Sequence, residues 1–558
     1  MKVLLLVAFC LFHTISGTID RTWWRNTTLY QVLLPSFMDG NGDGFGDLKG
    51  LISKLDHFVD LGIETVLITP HYPSPNMNNA GYDITNYTDV NRLSGTMQDF
   101  DDLMREMKKR GLKLIIDMVI NHSGDQHPWF INSVNRVEPY TDYYVWKDAK
   151  GFDINRNPIP PNNWQALYGG SIWKWNTKRQ QFYLHQFIEQ MPDLNLRNNL
   201  VLDEFKKIFE FWANKGVAGF RLDAAEHFVE DDQLRNEPFI NLSTQILRGR
   251  NDLSNIFTQF LWESVEVIHE FRTFIDSLTE KIGDFERILI PETHSQRKEL
   301  YEYYGSKNHN IAHFPFNFWL TYTNRYENAY YYKNLIEGYL NCLPEGAVAN
   351  WNSENHDIPR RAEVFNEEYE FILTSMVLLL PGISFTYYGQ ELGLAGWHFP
   401  GREQTMEAFR LPMQWDDTTN AGFSNNSRPY LPVSLNYNQI NVKKQKADEN
   451  SHYNKVKKMI SLRKTNVFKY GEFKSYAVSH WVYSFTRKWE NELYVMIFNL
   501  GDGTEFVDLH QSIGNLPNVM VIELASRNSD YKTGNEIQIN QKLKLQPHVA
   551  LVLHPKKN

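Results

Sequence analysis

The sequence predicts an α/β protein built on a (β/α)8 (TIM) barrel, with an inserted subdomain after the third strand and a C-terminal all-β domain. Three observations carry this. Short apolar runs alternate with amphipathic helical patterns over residues 18–122 and again over 193–466, the rhythm of βαβ units and a parallel sheet. The rhythm breaks over 123–192, a stretch rich in Trp, Asn, Pro and Tyr; so long an aperiodic run reads as a functional insertion or small subdomain. Residues 467–558 turn to short alternating strands, the mark of a separate β-sandwich.

In chain order, MKVLLLVAFCLFHTISG (residues 1–17) has a Lys, an apolar run and then small residues, the layout of a cleaved secretory signal. Its apolar run is too short for a bilayer span. TLYQVLLP, DLKGLISKLDHFVDLG, IETVLITP, FDDLMREMKKRG and LKLIIDMVINH then supply three strands and two helices. After the insertion come VLDEFKKIFEFWANKG, VAGFRLDA, RILIPE, AVANWNSENHD, FILTSMVLLLPG and ISFTYYG. This makes seven or eight strand candidates, of which IAHFPFNF is the weakest. Eight parallel strands, each followed by a helix, close into a barrel whose active site lies at the carboxyl ends of the strands. A second irregular stretch, about 390–435, precedes a helix near 451–465, and HWVYSFTRK, LYVMIFNL and VMVIELA form the C-terminal strands.

Composition narrows the function classes. The 558 residues carry 57 Lys and Arg against 66 Asp and Glu, scattered along the chain with a net charge of −9, which argues against a nucleic-acid partner. No later segment reaches membrane-spanning length, and the C-terminal LKLQPHVALVLHPKKN lacks a lipid-anchor tail. Aromatic residues make up 14%, and amphipathic rings suit sugars as well as cores. Of two cysteines, Cys10 lies in the signal; Cys342 reads as a buried small apolar residue with no reactive context. Sequons fall at Asn26, Asn86, Asn121, Asn241 and Asn425.

The barrel reading gives the charges at strand ends a common destination. Strand candidates finish on Asn121 and His122, on Arg221 and Asp223, on Glu292, and on His356 and Asp357. A lone Asp at a strand end is usually a helix cap, but three carboxylates from three strands, with an Arg and two His, form an acid–base cluster. Separately, DGNGDGFGD (39–47) sets oxygen-bearing side chains at alternate positions with glycines between. That pattern suits calcium or a Gly/Asn turn. It is not an EF-hand, since the twelfth position is Gly50.

DMVINH, GFRLDAAEH, IPETHS and ENHD resemble, in order, the four signature regions of the α-amylase superfamily, glycoside hydrolase family 13. QMPDLN, NGDGFGDL and LPMQWDD with AGFS resemble its α-glucosidase (maltase) branch, most like secreted insect maltases. The resemblance implies a secreted retaining α-glucosidase acting on short sugars such as maltose or sucrose, with no organic cofactor. Asp223 would be the nucleophile, Glu292 the general acid/base and Asp357 the carboxylate that stabilises the transition state. Retention calls for Asp223 and Glu292 about 5–5.5 Å apart, for Arg221 to keep Asp223 charged, and for an apolar setting that raises the Glu292 pKa.

By the same resemblance, His122 and His356 bond sugar hydroxyls, Tyr82 stacks on the terminal glucose, and Asp83 grips it while paired with Arg410. Arg360 adds a contact, Glu391 lies near the acceptor sugar, and Ala224 goes with α-1,4 bonds. Calcium would be held by Asp39, Asn41, Asp43, the Phe45 carbonyl and Asp47. A glycan on Asn121 would block the mouth, so that sequon should be silent. The chain departs from the pattern at Leu33, Leu34 and Pro35, at Glu354 beside the mouth, at Gln390 and at Leu411. Some superfamily members are inactive and serve as binding or transporter-partner subunits; all three carboxylates are kept here, which favours an enzyme.

Overall fold

The computed structural model describes residues 18–75, 81–241, 247–295, 298–397 and 405–556; the signal read over 1–17 lies outside them. Seven parallel strands form the central sheet: β1 (Thr28–Val32), β2 (Thr65–Ile68), β3 (Lys113–Met118), β4 (Gly219–Leu222), β5 (Ile288–Pro291), β6 (Asn350–Trp351) and β7 (Ile383–Tyr387). Their spatial order is β5-β4-β3-β2-β1-β7-β6. Residues 311–318, within which the weakest strand candidate falls, occupy the eighth place. His313 N donates to Leu289 O at 3.2 Å and Phe316 N to Pro291 O at 3.0 Å on one side, and Asn317 Nδ2 donates to Asn350 O at 3.0 Å on the other. Pro315 has no N–H to give to a ladder, so this piece closes the barrel without becoming a regular strand.

The sheet is apolar on both faces because helices cover it outside and side chains fill it inside. Gly219 is required where β4 meets β5, since a Cβ there would lie 2.6 Å from Ile288 Cγ1 and 2.8 Å from its carbonyl oxygen. The covering helices include α1 (Met97–Lys109), α2 (Asn199–Asn214), α3 (Trp262–Ile282), α4 (Ala329–Cys342), α5 (Glu367–Leu379) and α6 (His452–Arg463). In α1 a Thr96/Asp99 capping box starts the helix, Phe100, Leu103 and Met107 face the core, and Lys108 and Lys109 end it. Cys342 corrects the sequence reading: it is exposed. It is the last residue of α4, past Ile336 and Tyr339, the last side chains that helix buries.

After β3 the insertion folds as helix Pro128–Val134 and an antiparallel sheet of Trp146–Lys147, Gln181–Leu184 and Trp173–Asn176. Its own core is Trp164, Ile172, Trp173, Phe182 and Leu184, and the His122–Asp193 bridge ties it to the barrel mouth. The C-terminal part has a six-stranded antiparallel sheet from Glu472–Ala477 to Ala550–Pro555 and a two-stranded one, Glu505–Val507 with Leu543–Leu545. Val482, Val495, Ile497, Ile522 and Leu551 pack between them. No helix among the described residues is long and apolar enough to cross a membrane.

Candidate active site

The neighbouring strands β3 and β4 pair Asp117 with Arg221 in register. Arg221, 2% exposed, would be intolerable in a core without partners. It has three. Its Nη1 donates to both Asp117 oxygens at 2.8 Å and to Asp223 Oδ1, and its Nη2 lies 2.5 Å from Glu292 Oε1. The second Glu292 oxygen accepts the Ala224 N–H at 3.2 Å, which a left-handed backbone at Ala224 (φ 50°, ψ 42°) aims there. Past β6, Asp357 accepts from Arg410 Nη2 at 2.7 Å and lies 3.2 Å from His356 Nε2. Asp223, Glu292 and Asp357 share one cavity of about 920 Å³, together with Tyr82, His122 and Arg410.

The electrostatics correct two expectations. Burial drives the Asp223 carboxyl well above the ordinary range; Arg221 opposes this, while Glu292, Asp117 and Asp357 add to it. One guanidinium divided among three carboxylates does not hold each of them ionised. Burial likewise lifts Asp117 to about 6 against the pull of Arg221. Glu292, expected in an apolar setting, has a polar one between Arg221 and the Ala224 amide. Asp357 is the converse: burial raises it, but His356, Arg410 and Arg221 outweigh burial and bring it to about 2.

The remaining expected contacts divide. His122 is buried in the cavity wall beside Asn121 Nδ2, and burial holds it neutral with a pKa near 3. Tyr82 also reaches the cavity, donating to Asp117 at 2.9 Å with its ring parallel to that of His356. His356 itself stands behind the wall, with Nδ1 3.2 Å from Gln31 Nε2 and Nε2 2.8 Å from Tyr82 OH. The structure does not form the expected Asp83–Arg410 pair. Asp83 is buried and accepts from Ser74 Oγ, while Arg410 goes to Asp357.

Nor does Arg360 reach the cavity. It pairs with Glu354 at 3.1 Å and lies over the Tyr387 ring, so the extra charge at Glu354 is its buried partner and not a feature of the mouth. Glu391 is 0% exposed, held by Tyr30 OH at 2.8 Å and His57 Nε2 at 2.9 Å, which keeps it from any acceptor sugar. Gln390 is absorbed by Ser353 and Thr374. Leu33 and Pro35, however, do line the cavity.

With this geometry in place, the sequence matches the α-amylase catalytic domain over residues 31–471. The chain belongs to the α-amylase family. Maltase 1 of Drosophila virilis is 36% identical over 554 residues, covering 96% of this chain and 87% of that one. An α-glucosidase of Apis mellifera is 35% identical over 565 residues, covering 97% and 96%. The crystal structure of isomaltulose synthase from Erwinia rhapontici NX5 superposes with a TM-score of 0.81 at 28% identity, covering 96% of this chain and 99% of that one. As an α-amylase family member the protein is a glycosidase.

The site also holds residues the sequence reading passed over. Asp117 was visible as the one acidic residue in the apolar run KLIIDM. Glu226, His227, Gln259 and His294 line the cavity on the side of Glu292, and only the folded loops bring them there. In the loop 39–47, Asp39 Oδ1 and Asp47 Oδ2 both accept the Asn41 N–H, at 3.2 and 3.1 Å. Among the described residues no Lys or Arg pairs with Asp39, Asp43 or Asp47. Asn121, the sequon expected to be silent, is buried; Asn86, Asn241 and Asn425 are exposed and Asn26 is half-buried.

Proposed function

We propose that the protein is a secreted retaining α-glucosidase that removes terminal non-reducing α-linked glucose from short sugars such as maltose or sucrose. The observation that supports it best is the single Arg221 guanidinium joining Asp117, Asp223 and Glu292 in the cavity that also holds Asp357. Burial raises Asp223 and Asp117 against the pull of that one cation, so a proton is retained there, and the chemistry needs it transferred to Glu292 with Asp223 ionised against Arg221.

Asp223 then attacks the anomeric carbon while the glycosidic C–O bond breaks and Glu292 gives its proton to the leaving oxygen. Glu292, now a carboxylate, takes a proton from water as that water attacks the glucosyl–Asp223 ester, freeing glucose and restoring both groups. Asp357, ionised at any working pH because its pKa lies near 2, offsets the positive charge that develops on the ring. His122 and Tyr82 hold the glucosyl unit.

Loop 39–47 suits a structural calcium held by Asp39, Asn41, Asp43, the Phe45 carbonyl and Asp47, since Asp39 and Asp47 meet at the Asn41 amide with no basic partner among the described residues. The ion steadies the loop and takes no part in the steps above. Residues 1–17 would direct export, and glycans would sit on the exposed sequons.

Glucose release from maltose, sucrose and p-nitrophenyl α-glucoside, followed by NMR of the first-formed anomer, tests the reading. α-Glucose is expected first, with Asp223→Asn inactive. Equal rates for wild type and Asp223→Asn would remove it, and so would β-glucose as the first product.

A further inference from the structure

The stretch from Thr405 to Leu431 lines the cavity through Thr405, Met406, Glu407, Arg410, Tyr430 and Leu431. Its only regular pieces are the short turns Met406–Phe409 and Thr419–Gly422, so no long helix or strand ladder sets its place and its polar groups look to the barrel for partners. Arg410 stands at the end of the first turn. Its Nε donates to His356 O and its Nη2 to Asp357 Oδ1, both at 2.7 Å. Its backbone carbonyl accepts from Ser36 Oγ, just past β1, and Ser36 is buried with its Oγ also against the Tyr430 hydroxyl.

The direction of these bonds follows from the groups. A carbonyl oxygen can only accept, and a serine has one proton to give. Ser36 therefore donates to Arg410, and Tyr430 donates to Ser36. Tyr430 is fixed in its turn by the loop 39–47. Its N–H donates to Gly44 O at 3.1 Å, and its ring stacks on Phe45 with centroids 4.8 Å and planes 22° apart. Ser424 and Asn426 bind the same loop, at Asp39 Oδ2 and Gly42 O. Met413 N and Leu411 O have anchors of their own in Ser36 O and Tyr388 OH.

Resting on the α-glucosidase reading of Asp357, we propose that Tyr430 is a positioning residue for the reaction: through Ser36 it fixes the backbone of Arg410, and thereby the carboxylate of Asp357. Position matters at this group because Asp357 forms no covalent bond in either step. Its whole effect depends on where its charge lies relative to the glucosyl ring. Burial raises the Asp357 pKa, but His356, Arg410 and Arg221 outweigh burial and bring it to about 2, so a displaced guanidinium loosens the charge as well as the place of the same carboxyl. The Tyr430 proton is spent on Ser36, which leaves the sugar no donor there.

Tyr430→Phe keeps the stack on Phe45 and removes the proton that enters the chain. Its kcat for maltose and for p-nitrophenyl α-glucoside should fall about ten-fold, with KM within about two-fold, because the lost positioning is felt in the transition state. Ser36→Ala cuts the next link and should give the same split, adding little in the double variant; it carries the test if Tyr430→Phe loses its fold by circular dichroism. Arg410→Met removes the group that the chain positions, and in that background Tyr430→Phe should change kcat by less than about two-fold. An undiminished loss in the Arg410→Met background, or a loss confined to KM, would overturn the proposal while leaving the α-glucosidase reading intact. A wild-type protein that releases glucose from neither substrate would sink that reading, and the proposal with it.

Discussion

The two ends of the barrel use the same residue types to opposite effect. At the amino end Asp276, Glu286 and His313 bring ligand atoms within 4.8 Å of one another, yet cations already surround them. Arg272 pairs with Asp276 at 2.8 Å and lies 3.9 Å from Glu286, Arg21 comes within 4.0 Å of Glu286, and Trp24 Nε1 donates to it at 2.7 Å. Burial raises Glu286, but His313, Trp24 and Arg272 outweigh it and hold the carboxyl below its ordinary value. At the carboxyl end one guanidinium answers for three carboxylates. Buried carboxylates act as structural elements where two guanidiniums and an indole N–H answer for two of them; where one guanidinium is divided among three, a proton stays in the cluster and chemistry becomes available.

The largest expected contrast is catalytic. Asp223→Asn should lower kcat by about 10⁴-fold or more, whereas Glu286→Gln should keep kcat within about two-fold and lower Tm by a few degrees. A comparable activity loss in both variants would dissolve the contrast between the two ends.

Next is the shared cation. Arg221→Met leaves Asp117, Asp223 and Glu292 buried without it and should cost about 3–5 kcal/mol of stability at pH 8. The cost should shrink towards pH 4, where the carboxylates protonate. Thermal unfolding at the two pH values decides; a pH-independent cost would mean that Arg221 acts through packing alone.

The pH profile of the wild type sharpens the comparison further. Asp117 has a folded pKa of about 6 against a usual 3.8, so in the folded state it binds its proton more tightly than in the unfolded one. The stability this supplies is full below about pH 4 and is lost as pH rises through 6, roughly 3 kcal/mol in all. Asp357 runs the other way: lowered from 3.8 to about 2, it supplies stability above pH 4 that disappears as pH falls through 2. Asp117→Asn should therefore flatten the decline in Tm between pH 4 and pH 7, and an unchanged slope would contradict this assignment.

The smallest effect concerns the loop 39–47, whose acidic groups also lack basic partners among the described residues. Chelation by EGTA should lower Tm by a few degrees, and added calcium should restore it, with kcat changed less than Tm. Identical melting with and without chelator would leave the loop a Gly/Asn turn held by its own backbone amides.

How far the site could be read from the sequence differed from residue to residue. Asp223, Glu292 and Asp357 stand just past strand ends, and strand ends are set by local apolar periodicity, so their convergence was legible once eight strands were counted. Arg221 was legible for the same reason, two residues from Asp223 on one strand face. Arg410, Asp83, Arg360 and Glu391 lie on turns and loops, where a charge has several partners within reach of the chain. There the motif named the residue but not its neighbour. Glu354, a charge expected at the mouth, turned inward because Arg360, six residues on, folds back over it.

The sequence by itself determined the alternation of strands and helices, the interruption after β3, the alternating strands beyond residue 467, and which acidic side chains end the strands, because each depends on periodicity over a few residues. Tertiary structure alone decided how charge is shared: that Arg221 is divided among three carboxylates, that Arg410 serves Asp357 instead of Asp83, and that Glu226 fixes His294 near Glu292. Electrostatic energy depends on distance and burial in space, and neither is a property of position along the chain.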